Sequence, residues 1–282
     1  MDILFQKLQG AGNDFVIIKY EDFPHEELFP KLAQSACHRN FGIGADGLMV
    51  VKKSEVADFF MYYFNSDGSV AKMCGNGLRC FSKYIFDNKL TAKSNLAIET
   101  LAGTLDVEII EDNGKAYNVK VNMGKMIFDP KEIPVVCDQE ECIKQSIEVG
   151  GLTYEFSTVL MGVPHTVIFL DELDLDTVKS IGPIIEGNEL FPENTNVNFA
   201  KIVNRKQIEV KTWERGAGYT LACGTGVTSV CGVAKYLDLV DNEVEVITDG
   251  GKLTITIMDN QEIYMEGPAR EICKGVYFFN NN

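Results

Sequence analysis

Two short segments of this chain repeat each other, Met73-Cys74-Gly75-Asn76-Gly77 and Ala222-Cys223-Gly224-Thr225-Gly226, one in each half of its 282 residues. Their surroundings repeat as well. Gly12-Asn13-Asp14-Phe15-Val16-Ile17-Ile18 has a counterpart in Gly162-Val163-Pro164-His165-Thr166-Val167-Ile168, and Asn65 and Glu214 each stand nine residues ahead of their cysteine. Self-similarity on this scale marks a duplication. The chain therefore reads as two related domains, each presenting one cysteine at the start of a helix. There the unpaired N–H groups and the positive end of the helix dipole favour thiolate over thiol.

The charge balance narrows the ligand. A formal net charge of −15 argues against nucleic acid or an anionic membrane, since either requires a basic surface, and favours a small molecule. The amino terminus carries no basic stretch followed by an apolar core, and no apolar run approaches the length of a membrane span, so a cytoplasmic protein is expected. A chain of this length with 45% hydrophobic residues can build proper cores without disulfides. The eight cysteines are therefore expected as thiols in a reducing compartment, with neither a Cys-x-x-Cys redox motif nor paired metal-knuckle spacing among them.

Periodicity places strands at 3–8 and 15–20 about a turn at 10–13, a helix at about 26–37, and strands at 48–51 and 59–64. The first cysteine-led helix covers 75–86, with Leu78, Phe81 and Ile85 as its apolar face, and alternating strands follow over 96–121. The second half gives strands near 166–169, 195–203 and 207–213, the second cysteine-led helix over 224–236, and three closing strand-like segments. Few helices, many strands and no regular βαβ alternation predict mixed sheets around one long helix per domain. The boundary falls near 123–125: an N-terminal α/β domain over 1–123, completed by 269–282, and a C-terminal α/β domain over 124–268.

Gly12-Asn13-Asp14-Phe15, Cys74-Gly75-Asn76-Gly77-Leu78-Arg79-Cys80, Gly162 to His165, Trp213-Glu214-Arg215-Gly216-Ala217-Gly218 and Cys223-Gly224-Thr225-Gly226 occur in this order. With them the chain resembles the diaminopimelate epimerase family over residues 5–268. The resemblance implies two pseudo-symmetric α/β domains, each a mixed, barrel-like β-sheet wrapped around a central helix, and a homodimer. It also implies a reaction without cofactor that interconverts LL- and meso-diaminopimelate, and so a small amino-acid substrate. It makes His165 and Glu214 the polar partners of the two thiols, and assigns Asn13, Asn65, Asn196 and Arg215 to substrate binding. Read without the resemblance, His165 fits a turn, Glu214 a surface ion pair with Arg215, and the asparagines ordinary turns.

The residues suit that chemistry on physical grounds. Inverting an amino acid requires removing an α-proton from one face and delivering one to the other, which needs two acid–base groups, and Cys74 and Cys223 supply them. The N–H groups of Gly75, Asn76, Gly224 and Thr225 can hold the α-carboxylate, where charge builds as the carbanion forms. Cys37, Cys80, Cys137, Cys142, Cys231 and Cys273 read as inert. The family often has Asn at Val163, His at Gln9, Pro at Met126 and a carboxylate at Tyr219, and some members carry Gln at Gly47. Val163 removes a polar contact for the distal end of the substrate. A racemase for histidine or glutamate is thus the nearest alternative, with a non-catalytic binding module or a zinc or thiol-redox protein as readings of other classes. No residue identifies a pyridoxal phosphate lysine.

Overall fold

The computed structural model describes residues 1–280. The chain divides into two compact units, one of residues 1–122 together with the segment from Glu266 onwards, the other of Met123–Met265.

In the first unit, β1 (Asp2–Gly10) and β2 (Asn13–Lys19) form an antiparallel hairpin. Its two-residue turn, Ala11-Gly12, has positive φ at both positions, 54° and 83°, as a turn matched to strand twist requires. A 3₁₀ turn at Glu26–Leu28 leads into α1 (Phe29–Cys37), whose Pro30 sits in the first turn, where a missing N–H is harmless. β3 (Gly47–Lys53) lies parallel to β2, which makes α1 a crossover connection. β4 (Phe59–Asn65) returns antiparallel to β3, and the short β5 (Val70–Ala71) pairs with it. A second crossover, α2 (Gly75–Asp87), delivers β6 (Asn95–Thr100) parallel to β4. β7 (Gly103–Asp112) and β8 (Lys115–Lys125) then meander.

The central strands are buried on both faces, so they show no alternation of polar and apolar residues. Val16, Ile18, Leu48 and Val50 pack with Phe29, Leu32, Ala33 and Ala36 of α1. On the other face, Phe15 and Met49 lie directly beside Gly77 of α2. Each fully buried Leu or Phe in such a layer contributes about 1.5–3 kcal/mol.

The second unit repeats the scheme. β9 (Gln145–Val149), β10 (Leu152–Met161) and β11 (Val163–Phe169) are successively antiparallel. α3 (Leu175–Glu186) crosses to β12 (Asn196–Asn204), parallel to β11, and β13 (Gln207–Glu214) returns antiparallel. The short β14 (Gly218–Thr220) pairs with β13, and α4 (Gly224–Tyr236) crosses to β15 (Glu243–Thr248), parallel to β13. β16 (Gly251–Ile257) and β17 (Glu262–Pro268) follow. The chain then returns to the first unit, where β18 (Arg270–Phe278) pairs antiparallel with β1 and Phe279 joins the core beneath α1. The duplication seen in the cysteine motifs thus extends to the order and direction of strand pairing.

Two expectations need correction. The second unit carries a helix that the sequence did not announce, α3, which forms across Gly182 and Pro183, residues that oppose helix locally. A Cβ at Gly182 would lie 2.8 Å from Trp213 Cγ, so the glycine is what allows α3 to seat on β13. The chain also closes with four strands, β15 to β18, rather than three, because the last two are separated by a single residue and read as one run.

Candidate active site

In the first unit the end of β4, the starts of β2 and β3 and the N-terminus of α2 converge. Phe15 pairs with Gly47 and Gly47 with Asn65. A Cβ at Gly47 would lie 2.5 Å from Phe64 O, so packing demands the glycine there. Cys74 is the N-cap of α2, with extended φ and ψ of −147° and 119°, and its carbonyl accepts from Leu78 N at 2.8 Å.

The Cys74 sulfur has partners suited to both of its protonation states. Gly77 N donates to Sγ at 3.4 Å, a bond that favours thiolate. Asn13 Oδ1 lies 3.5 Å away and accepts from the thiol. Asn13 is turned this way because its Nδ2 donates to Asp46 Oδ2. Asp46 is held in turn by Arg39 Nη2 at 2.6 Å, and Asp14 by Arg39 at 3.0 Å and Lys7 Nζ at 2.8 Å. Burial alone would raise the Asp14 pKa, but hydrogen bonds from Arg39 and Lys7 outweigh it and hold the carboxyl below its usual range. Asn65, the other expected substrate ligand here, has its Nδ2 on Ser69 Oγ at 2.9 Å. Gly75 and Asn76 are buried in the first turn of α2.

In the second unit the matching ends converge. Cys223 is the N-cap of α4, with its carbonyl accepting from Val227 N at 2.9 Å. Its Sγ lies 3.4 Å from Thr225 Oγ1, a hydroxyl that can donate to a thiolate or accept from a thiol. Gly224 is buried beside it. Glu214, at the end of β13, accepts from Thr220 Oγ1 at 2.5 Å. His165 on β11 is closed off from solvent, and burial, with the positive charge of Arg215, pushes its pKa down to about 3, so it is neutral. Asn196 bonds backbone at both ends of its amide: its Nδ2 donates to Pro164 O at 2.9 Å and its Oδ1 accepts from Arg215 N at 3.0 Å. That bond fixes the backbone from which the Arg215 side chain departs, and Arg215 Nη1 donates to Glu193 O at 2.9 Å.

The structure thus joins Asn13 to Cys74, and Asn196 to Arg215 and to the peptide before His165. Burial pushes the Cys37, Cys80 and Cys142 thiols up to about 12 and raises Cys231 likewise, which suits inert packing, whereas Cys137 is half-buried and Cys273, expected buried, is exposed on β18. Gln9 Oε1 caps the hairpin turn by accepting from Gly12 N at 3.0 Å. Met126 fills the space over Gly232, Tyr219 donates to Asp249, and Val163 is exposed. Among the described residues no group of three or more His, Cys, Asp or Glu is placed to hold a metal ion, and no helix is long and apolar enough to cross a membrane.

Sequence reasoning passed over two sets of residues. Asp14, Arg39 and Asp46 orient Asn13, and Asn198 holds His165. A signal existed for Asn198: in the apolar run Asn196-Val197-Asn198-Phe199-Ala200 a second asparagine, two residues on, sits fully buried in a core strand, where an amide must find partners.

The Diaminopimelate epimerase family model matches residues 5–128 and 157–272. Diaminopimelate epimerase from Alkaliphilus metalliredigens is 57% identical over 277 residues, covering 98% of each chain. That from Clostridium perfringens is 47% identical, covering 98% of this chain and 99% of its own. Among solved structures, a phenazine biosynthesis protein of the PhzF family from Bacillus anthracis superposes with a TM-score of 0.74 at 17% identity, covering 99% of this chain and all of its own. A probable proline racemase from Agrobacterium radiobacter gives 0.73 at 11%, covering 99% and 93%. These two likenesses are of fold. The sequence match, continuous through both cysteine motifs and the strands that present them, makes this chain a member of the diaminopimelate epimerase family.

Proposed function

We propose that this protein interconverts LL- and meso-diaminopimelate, with Cys74 and Cys223 as the two acid–base groups. One, as thiolate, takes the α-proton; the other, as thiol, delivers its own proton to the opposite face, and the roles exchange when the reaction runs backward. The pair titrates as a unit, so the active state carries one proton between two sulfurs. The N–H groups of Gly75, Asn76, Gly224 and Thr225 hold the α-carboxylate and meet the negative charge that builds there in the transition state. Asn13, Asn65 and Asn196 contact the polar groups of the substrate, with Arg215 on its distal carboxylate. His165 and Glu214 assist the thiols.

One observation carries this reading: each cysteine occupies the N-cap position of a crossover helix at the same place in a repeated strand scheme, and each sulfur has partners that tolerate both thiol and thiolate. The substrate comes from relatives named diaminopimelate epimerase that align over nearly their whole length. On this reading the enzyme is a homodimer in the reducing cytoplasm, a setting consistent with five buried thiols at Cys37, Cys80, Cys142, Cys223 and Cys231.

The test is incubation of the purified protein in deuterated water with LL-diaminopimelate and, separately, a panel of L-amino acids. Deuterium at an α-carbon of diaminopimelate is expected. Label entering histidine or glutamate instead would overturn the substrate, and label entering nothing would overturn the reaction.

A further inference from the structure

His165 is one of three histidines in the chain and the only one of them buried. Its Nδ1 lies 3.2 Å from Asn198 Nδ2, and its Nε2 has no hydrogen-bond partner among the described residues. The chain itself determines which way the Asn198 amide points. Its nitrogen also faces the backbone oxygens of Thr166 at 3.2 Å and Asn196 at 3.4 Å, while its oxygen accepts from the Thr212 hydroxyl at 3.1 Å. Backbone carbonyls only accept, so the NH₂ must face them, and an amide nitrogen offers no lone pair to a ring N–H. Nδ1 is therefore the acceptor, and the single ring proton of the neutral imidazole lies on Nε2. Arg215 is the charged group that acts on the ring, and it too disfavours the imidazolium.

The same amide abuts the second cysteine motif. A Cβ at Gly226 would lie 2.3 Å from Asn198 Oδ1 and 3.3 Å from Cys223 Sγ, so Asn198 is packed against the turn that presents the thiol. A buried N–H donor without a partner persists only where something else repays it. In a site where a thiolate and a carboxylate take part, an anion supplies that partner.

We propose that Asn198 is a positioning residue that locks His165 in its Nε2–H tautomer, so that His165 serves the reaction as a neutral hydrogen-bond donor to an anion and not as a base. The role of the donor rests on the epimerase reading; the tautomer does not.

The test is a long-range proton–nitrogen correlation spectrum of enzyme labelled with ¹⁵N-histidine, without substrate, from about pH 8 to about pH 5, a range in which ordinary histidines titrate. The variants H25Q and H38Q identify the other two rings. The expected result is a protonated Nε2 and an unprotonated Nδ1 throughout. The opposite tautomer, or an imidazolium within that range, overturns the proposal. Asn198→Asp keeps the size but replaces the donor by an acceptor. It should move the ring proton to Nδ1 and lower kcat by about 10²-fold, the usual loss for one transition-state donor, with KM little changed. An Asn198→Asp enzyme with the wild-type tautomer, or with the flipped tautomer and full kcat, also overturns it. Should that variant not fold, the wild-type spectrum decides alone. Failure of the cysteines to matter for turnover would sink the epimerase reading and leave this spectrum unchanged.

Discussion

Gly77 and Gly226 stand three residues past the capping cysteine in the two units, yet they face different neighbours, so alanine at each should have unequal effects. A Cβ at Gly77 would meet Met49 Cε at 2.0 Å, with Cys74 Cβ and Phe15 Cζ at 3.3 Å. The severe overlap is with the terminal methyl of a flexible side chain, which can rotate away. Alanine also gains about 1 kcal/mol over glycine in a helix, so G77A should stay within about 1 kcal/mol of wild type. At Gly226 the 2.3 Å overlap is with Asn198 Oδ1, and Cys223 Cβ and Sγ lie at 3.1 and 3.3 Å. That amide is tied to Thr212, Thr166 and His165. Turning it away sacrifices three hydrogen bonds at about 1 kcal/mol each, against a helix gain of about 1, so G226A should lose about 2 kcal/mol. If relief comes instead through Cys223, a sulfur displaced by about 1 Å costs about 10²-fold in rate. Urea unfolding midpoints with unchanged slope report the first quantity, and α-deuterium incorporation reports the second. A G226A enzyme equal to wild type in both, or a G77A enzyme harmed more than G226A, would refute the reasoning.

Cys74→Ser and Cys223→Ser should each lower kcat by about 10²–10⁴-fold without unfolding the chain, whereas Cys273→Ser, on an exposed strand, should leave the deuterium-incorporation rate unchanged. Because burial and Arg215 push the folded pKa of His165 down from 6.5 to about 3, the unfolded chain binds this proton first. The stability contribution is therefore present above about pH 6.5 and is lost as pH falls towards 3, at up to about 1.4 kcal/mol per pH unit; denaturation of His165→Gln should show a shallower acid slope in that window. Asp14, held below its usual range, contributes stability above about pH 3.9 that disappears as pH falls past it, so Asp14→Asn should flatten the stability curve only below about pH 4.

Much of the architecture was legible because its signals are local. Gly10 to Asn13 announced a hairpin, and Cys-Gly-x-Gly followed by Leu78, Phe81 and Ile85 announced a capped amphipathic helix. α3 was not legible, because Gly182 and Pro183 contradict the periodicity of Val178, Ile181 and Ile185. The conflict is resolved only by Trp213, which needs the glycine's missing Cβ and comes from a strand some thirty residues on. Asn196 shows the same limit within the site. Its sequence context marks a polar residue in an apolar strand, but not that both ends of its amide bond backbone.

By itself the sequence determined the duplication, the two thiols and the class of ligand, since these follow from residue identity, spacing and net charge. The tertiary structure alone decided what each polar atom faces. Asn13 turns its oxygen to Cys74 because Asp46, from a distant loop, holds its nitrogen. Asn198 sets the His165 proton because two backbone carbonyls claim its NH₂. The physical reason is that a hydrogen bond depends on distance and direction between groups far apart in the chain, and neither is encoded locally.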